Sequence, residues 1–242
     1  MKPVPPSRPQ PSIVDGLHDQ DARLSAIRQL LIDCEARPGR LQNKIALRLL
    51  ALTAVRPGEL AGARWEEFVD LEGENPFWVI PAARMKGQKV RKKEHFVPLA
   101  RQTVELLAVL RRLNGRFALC FPSERHIHRT ISENTLRQIL INAGYYQKHV
   151  PHGFRAAFST YMNERSNELN QIGDRQVIDL MLAHTSKSYE GADRRAATIS
   201  NSEAAYNRAL YMPRRKQLAQ EWADILLADF WSLDVQIHRP IR

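Results

Sequence analysis

Two arginines and a histidine stand where the chain could bind a phosphate group. Arg56 lies in TAVRPGEL, where Pro57 disfavours helical geometry at the preceding residue and so places the guanidinium at a helix junction. Arginine offers a rigid fork of N–H donors and keeps its charge, which suits a bidentate phosphate contact. His152 and Arg155 lie three positions apart in PHGFRAAF, so a helix begun by Pro151 would present both on one face near its positive end.

Each candidate also has an ordinary structural interpretation. A surface arginine beside a turn accounts for Arg56, and a capping histidine with a surface arginine accounts for the H-x-x-R pair. His184 ends the apolar stretch VIDLMLAH, where an imidazole often caps helix carbonyls, and Tyr206 in EAAYNRALY fits a half-buried packing residue. The functional interpretation therefore depends on the order of the whole set along the chain.

The charge of the chain favours a polyanionic partner. Its 242 residues carry 36 Lys and Arg against 26 Asp and Glu, a formal net charge of +10. Such a balance attracts nucleic acid first, although ribosome-binding and membrane-surface proteins share it. The two cysteines have apolar neighbours, so we expect neither a disulfide nor a cysteine metal site. With no apolar run near the ~20 residues of a membrane span and no secretory pattern, we expect a cytoplasmic protein without a membrane partner.

Hydrophobic periodicity predicts a mainly helical domain with one small sheet. Two short β-prone runs, 77–81 and 95–99, flank the basic segment MKGQKVRKKE and predict an antiparallel hairpin with a cationic turn. The predicted fold class is α+β, mainly α, with a small antiparallel sheet inserted early. Apolar residues recur at helical spacing in eight segments: 21–35, 42–55, 103–113, 133–143, 153–163, 175–182, 202–211 and 214–230.

The ends of the chain differ from its middle. The opening MKPVPPSRPQP is too rich in proline for a helix or a central strand. We interpret residues 1–19 as a linker or a disordered tail, residues 20–232 as one domain and residues 233–242 as a C-terminal tail.

The motifs together resemble one known family. TAVRPGEL, RMK, VPL, PHGFRAAFSTYMNE, MLAH and AAYNRALY, followed by RR and WAD, resemble the catalytic domain of tyrosine recombinases of the phage integrase family, especially integrases of phage satellites and genomic islands. The resemblance spans residues 21–224. It implies the helical DNA breaking-rejoining fold for residues 20–232. It also implies a bacterial or phage-encoded site-specific recombinase that works through a 3′-phosphotyrosyl intermediate without metal, ATP or other cofactor.

By this resemblance most of the candidates receive a role. Arg56 and Arg155 correspond to the two phosphate-binding arginines, and His152 and His184 to the two histidines of the site. Glu59 matches an acidic residue that orients the first arginine, although a carboxylate favoured by a helix N-terminus explains it equally well. The sequence has no dense Asp/Glu cluster of the kind that would indicate a two-metal nuclease site.

Two assignments have competitors. Lys86, in ARMKGQ, matches the hairpin lysine that protonates the leaving oxygen, but the hairpin is longer than is usual in the family and carries further lysines. Those lysines are Lys89, Lys92 and Lys93. Tyr206 matches the nucleophile, but it follows His184 by 22 positions, more than is usual in the family. Tyr189 and Tyr211 are therefore the alternatives.

The resemblance implies partners as well. We expect double-stranded DNA attachment sites, a homotetramer on DNA and accessory DNA-bending proteins. Segment 214–230 could be the helix that protomers exchange in this family, or it could pack against its own domain. Basic residues outside the catalytic set are expected to contact DNA phosphates: Lys89, Lys92, Lys93, Arg125, Arg129, Arg194 and Arg195.

Two other functions remain open from the sequence. A type IB topoisomerase uses similar chemistry but relaxes a single duplex. A DNA-binding regulator without catalysis would keep the basic surface and lose the cleavage reaction. Covalent trapping of DNA separates the regulator from both enzymes, and strand joining between duplexes separates the recombinase from the topoisomerase.

Overall fold

The computed structural model describes residues 10–85, 94–171, 173–183 and 201–228, with side chains in the last stretch from Tyr211 onward. The elements in this part of the chain are mostly helices. In chain order they are α1 (Gln20–Ala36), α2 (Leu41–Thr53), α3 (Pro57–Ala61), β1 (Phe68–Val69), β2 (Phe77–Ile80), β3 (His95–Pro98), α4 (Arg101–Asn114), α5 (Glu133–Asn142), α6 (Gly153–Glu168), α7 (Asp174–Met181) and α8 (Asn201–Leu227).

Helix α2 lies at the centre of the helical layer. Its second half is apolar around most of its circumference and is buried from Ile45 to Thr53, because helices pack on several sides of it. Its neighbours are α1, α3, α4, α5, α6 and α8. No helix in the described ranges is long and apolar enough to cross a membrane.

The three strands form one antiparallel sheet in the order β1-β2-β3. Trp78 pairs with Val97 and Ile80 with His95, so these four side chains share one buried face. The predicted hairpin strands are thus present, and the fold class is the one expected from the sequence. Strand β1 was not predicted, because two residues are too few to show an alternating pattern.

Helix α8 is continuous where periodicity predicted two separate segments. Pro213 lies inside it, although proline removes an N–H from the helical ladder. The half that follows is anchored in the core: the indole nitrogen of Trp222 donates to the carbonyl oxygen of Ala51 at 2.9 Å, and its ring meets Phe158 edge to face. Trp222 and Leu226 therefore pack against their own domain, whereas Phe230 lies outside the described residues.

The segment before α1 is docked onto the turn that precedes α6. The backbone N–H of Ile13 donates to Nδ1 of His149 at 3.0 Å, and the Ser12 hydroxyl donates to the carbonyl oxygen of Gly153 at 3.1 Å. Residues 11–14 belong to the segment that we interpreted from the sequence as a linker or a tail. In the structure they contact the helical layer directly. The proposed domain limits at 20 and 232 remain a prediction.

Candidate functional site

Arg155 joins the ends of two helices. Its side chain leaves the first turn of α6 and is only 3% exposed. One terminal nitrogen donates to the carbonyl oxygen of Ala54, just after α2, and the other donates to that of Leu182, just after α7, both at 2.6 Å. Two hydrogen bonds from one planar group hold the guanidinium in a single orientation.

Arg56 lies beside it, at the N-terminus of α3. Glu59 accepts from the Arg56 side chain at 2.8 Å and from its backbone N–H at 2.9 Å, so the buried carboxylate holds both parts of the residue. The second terminal nitrogen of Arg56 donates to the carbonyl oxygen of Ala183 at 3.2 Å. The two arginines thus bind consecutive carbonyls, those of Leu182 and Ala183, and converge on the end of α7.

Two of the three carbonyls that bind the arginines come from an unusual backbone. Ala54 has φ +50° and Ala183 has φ +47°, the left-handed region that residues with a side chain rarely adopt. Such a conformation costs about 1 kcal/mol or more and persists only where the surroundings impose it, which is common at functional sites. At both positions it ends a helix and presents a carbonyl to a guanidinium.

Two further buried groups belong to this region, and sequence reasoning missed both. Arg215, on α8, is 4% exposed and donates to the carbonyl oxygen of Phe96 on β3. His95 begins β3 and is 5% exposed. A signal for His95 was present in the sequence, since the two-residue period of a strand places it on the same face as the apolar Val97. Arg215 stands in the RR pair that follows AAYNRALY, but nothing in the sequence gave that pair a role at the site.

The cluster carries excess positive charge. Burial, and next the positive charge of Arg56, lower the pKa of Arg155 to about 10, while Glu59 partly offsets these effects. Burial also lowers the pKa of Arg215 to about 10. Both groups therefore remain protonated at neutral pH. Within the described part of the chain, three guanidiniums face one carboxylate, that of Glu59, so the cluster favours an anion.

The other predicted site residues are described only in part. His152 is exposed and directly precedes α6, three residues before Arg155. The backbone of Tyr206 lies in α8, but its side chain is outside the described residues, as are Lys86 and His184. The structure thus brings Arg56, Glu59 and Arg155 together, and the role of each predicted site residue stays a prediction.

The basic residues expected on DNA are likewise partly described. Arg125 and Arg129 are exposed on the loop between Phe121 and α5. The remaining ones, Lys89, Lys92, Lys93, Arg194 and Arg195, lie outside the described residues, as does Tyr189.

Among the described residues, neither a cysteine pair nor a metal site contributes to this region. Cys34 and Cys120 are both free and buried. Over the described ranges no group of His, Cys, Asp or Glu side chains is arranged to hold a metal ion.

The domain is mainly helical and has at its centre a buried cluster of arginines that favours an anion. Comparison with known proteins identifies its family. Residues 23–189 match the phage integrase family, and the chain belongs to that family. The matched region includes Arg56, His152, Arg155 and His184 and ends before Tyr206.

The curated relatives that match the chain include integrases. The integrase of enterobacteria phage P4 is 32% identical over 212 residues, which cover 84% of this chain and 44% of the relative. Prophage integrase IntZ of Escherichia coli K12 is 33% identical over 190 residues, which cover 78% of this chain and 41% of the relative. The chain therefore spans less than half the length of these relatives.

Solved recombinase structures share the fold. The XerH site-specific recombinase, in a pre-cleavage complex with its difH substrate, matches with a TM-score of 0.52 at 16% identity, covering 73% of this chain and 52% of that one. The XerA recombinase matches with a TM-score of 0.51 at 22% identity, covering 86% and 67%. The mainly helical architecture with its three-stranded sheet is thus that of a tyrosine recombinase catalytic domain.

Proposed function

We propose that this chain is the catalytic part of a site-specific DNA recombinase, an integrase that cuts and rejoins DNA at attachment sites through Tyr206. Membership of the phage integrase family and the integrase relatives support the reaction class. Relatives encoded by a phage and by bacterial prophages support action in the bacterial cytoplasm.

The observation that carries the proposal is the charge of the arginine cluster, in which, among the described residues, three guanidiniums face the single carboxylate of Glu59. Burying cations without carboxylate partners destabilises a fold, so such a cluster is typically kept for an anionic ligand. Arg155 is held by two carbonyls and Arg56 by Glu59, which leaves both guanidiniums oriented before any ligand arrives. A DNA phosphodiester supplies the missing charge.

In the proposed reaction the phenolic oxygen of Tyr206 attacks the phosphorus of the scissile phosphodiester. Arg56 and Arg155 neutralise the charge that builds on the non-bridging oxygens, which is commonly a large part of catalysis. His152 accepts the phenol proton, and Lys86 gives a proton to the 5′ oxygen as its bond to phosphorus breaks. The products are a 3′-phosphotyrosyl bond and a free 5′-hydroxyl.

The covalent bond conserves the energy of the original phosphodiester. A 5′-hydroxyl from a second duplex can therefore attack the phosphotyrosyl group and join new partners without ATP. We propose that four protomers bring two attachment sites together for this exchange, with accessory DNA-bending proteins. XerH, which shares the fold, was solved bound to its difH substrate.

Covalent trapping on a randomised substrate tests the proposal and selects the attachment site at the same time. The protein is incubated with a pool of nicked duplexes of randomised core sequence, and DNA that stays attached under denaturing conditions is sequenced. We expect a protein–DNA adduct that forms equally in the presence of a chelator and is enriched in one core sequence. Tyr206→Phe should abolish it, while the matched variants Tyr189→Phe and Tyr211→Phe should retain it.

Other results would change the conclusion. An adduct that survives Tyr206→Phe and disappears in one of the two matched variants would move the nucleophile there. Binding of DNA with no adduct in any variant would contradict catalysis and favour a regulator. Relaxation of supercoiled DNA without joining between duplexes would favour a topoisomerase.

A further inference from the structure

His95 is a polar residue on an otherwise apolar face. It stands opposite Ile80 at the start of β3, two positions before Val97. Ile80 and Val97 are buried in the core, and His95 is buried with them. A histidine at such a position normally satisfies both ring nitrogens within the fold, because leaving them unpaired destabilises the native state.

The described part of the chain offers His95 no such partners. Neither Nδ1 nor Nε2 of His95 makes a hydrogen bond of ordinary geometry with any described residue. The nearby Leu180 backbone only slightly raises the pKa of the ring. The Nε groups of Arg155 and Arg215 are also buried without partners among these residues. Unpaired donors and acceptors thus gather in one buried region, a pattern that indicates a missing ligand.

The surroundings determine the charge state of the ring. Burial, followed by the positive charges of Arg215, Arg155 and Arg56, lowers the pKa of His95 to about 3. The ring is therefore neutral near pH 7, with one N–H donor and one acceptor nitrogen. A ring of such low basicity is a poor general base, so its use at the site is hydrogen bonding.

The unpaired Nε–H of Arg215 is the candidate donor for the acceptor nitrogen. Its guanidinium already donates to the carbonyl oxygen of Phe96, the residue after His95, and its Nε is unpaired among the described residues. An Nε–H bonded to the ring would orient the other ring nitrogen as a donor. An uncharged donor also adds no further repulsion to three neighbouring guanidiniums.

We propose that His95 is a further residue of the phosphate site, whose ring accepts the Nε–H of Arg215 and donates its own N–H to a phosphate oxygen. That the phosphate belongs to DNA rests on the proposed function. The binding of an inorganic anion by the same residues does not depend on the proposed function. The role of His95 and the recombinase function can therefore be tested separately.

Substitutions that keep or remove the polar atoms test the role of His95. The full chain is titrated with inorganic phosphate by calorimetry, and adduct formation is then timed on the enriched nicked duplex. We expect His95→Gln, which keeps a donor and an acceptor, to bind phosphate within about threefold of the wild type. His95→Leu should bind it at least about tenfold more weakly, since a hydrogen bond to a charged group is lost. Val109→Ala, a core truncation on α4, controls for general destabilisation.

Several outcomes would overturn the proposal. These are equal phosphate binding by all variants, equal weakening by Gln and Leu, or no phosphate binding by the wild type. If His95→Leu fails to fold, ¹⁵N-histidine NMR of the wild type replaces it. The His95 ring signals, assigned with His95→Gln, must then shift when phosphate is added. Phosphate binding that depends on His95 in a protein that forms no DNA adduct would support this inference and contradict the recombinase.

Discussion

Arg155 owes its orientation to the protein rather than to any ligand. Its two terminal nitrogens bond to carbonyls at the ends of α2 and α7, and one of these carbonyls belongs to a left-handed alanine, Ala54. A guanidinium held in this way does not need to reorganise when charge develops on a bound phosphate. In the proposed reaction, the strained backbone at Ala54 is thus a local destabilisation that serves preorganisation.

Arg155→Lys should separate orientation from charge. A single ammonium cannot bond to both carbonyls, so we expect covalent adduct formation to slow by about 10²- to 10³-fold and the free energy of unfolding to fall by about 1–3 kcal/mol. Single-turnover trapping and urea denaturation measure the two effects.

A matched control lies on the same helix. Arg165 is about a third exposed, and its Nε is 4.0 Å from Glu221, so Arg165→Lys should change neither quantity appreciably. Wild-type cleavage by Arg155→Lys would show that positive charge alone is sufficient at this position.

At the scale of elements, α7 and α8 are tied together by a partly buried ion pair. The Arg214 side chain donates to Asp174 through Nε at 2.8 Å and through a terminal nitrogen at 2.5 Å, and this hydrogen bonding raises the pKa of Arg214. Helix α7 leads into the carbonyls that bind Arg155 and Arg56, and α8 carries Tyr206. The pair therefore links the two halves of the proposed site.

A double-mutant cycle with Asp174→Asn and Arg214→Gln measures this link. Each single change leaves a charged or polar partner without its bidentate bond, so each should destabilise the protein and the double variant should lose less than the sum. We expect a coupling free energy of about 1–3 kcal/mol from urea denaturation of the four proteins. Additive losses would mean that the ion pair contributes nothing specific.

The sequence was a good guide to the elements where packing follows a repeating pattern. Residues 42–55 were predicted as a helix because their apolar residues recur at helical spacing, and α2 lies there. The pattern failed where tertiary contacts override local preference. The helix α8 continues through Pro213, and its following half is anchored in the core by Trp222.

The site was predictable only as far as residue type and order allow. Arg56, Glu59 and Arg155 stand in recognisable motifs, so their proximity could be expected from the resemblance. The carbonyls that hold them come from residues without reactive side chains, Ala54 and Leu182, and no motif marks such partners. The contact between Arg215 and β3 joins residues 119 positions apart, a separation that no local pattern encodes.

At the scale of the whole molecule, two buried histidines make stability depend on pH. Burial lowers the pKa of His149 to about 3, and burial with the nearby arginines lowers that of His95 to about 3. In the unfolded chain both titrate near the usual value of about 6.5. Below that pH the unfolded state binds more protons, so stability is fully present above pH 6.5 and is lost as the pH falls towards 3.

Urea denaturation at several pH values should reveal how both buried histidines contribute to the free energy of unfolding. Between about pH 6 and 5 we expect the free energy of unfolding to fall by up to about 1.4 kcal/mol per pH unit for each histidine. His149→Gln should remove one histidine's share of this slope, whereas His128→Gln, on an exposed loop, should leave it unchanged. A slope that His149→Gln does not alter would indicate that other groups cause the acid sensitivity.

The docked segment before α1 has a mechanical consequence. Because Ser12 and Ile13 bond to Gly153 and His149, tension applied to the chain upstream of them would reach the turn that starts α6. Arg155 lies in the first turn of that helix, so a pull of this kind would tilt its guanidinium away from the carbonyls that hold it. We expect protease cleavage or a fusion junction at residues 11–14 to disturb the arginine cluster from a distance, whereas one placed in the exposed loop after Phe121 would leave α6 anchored.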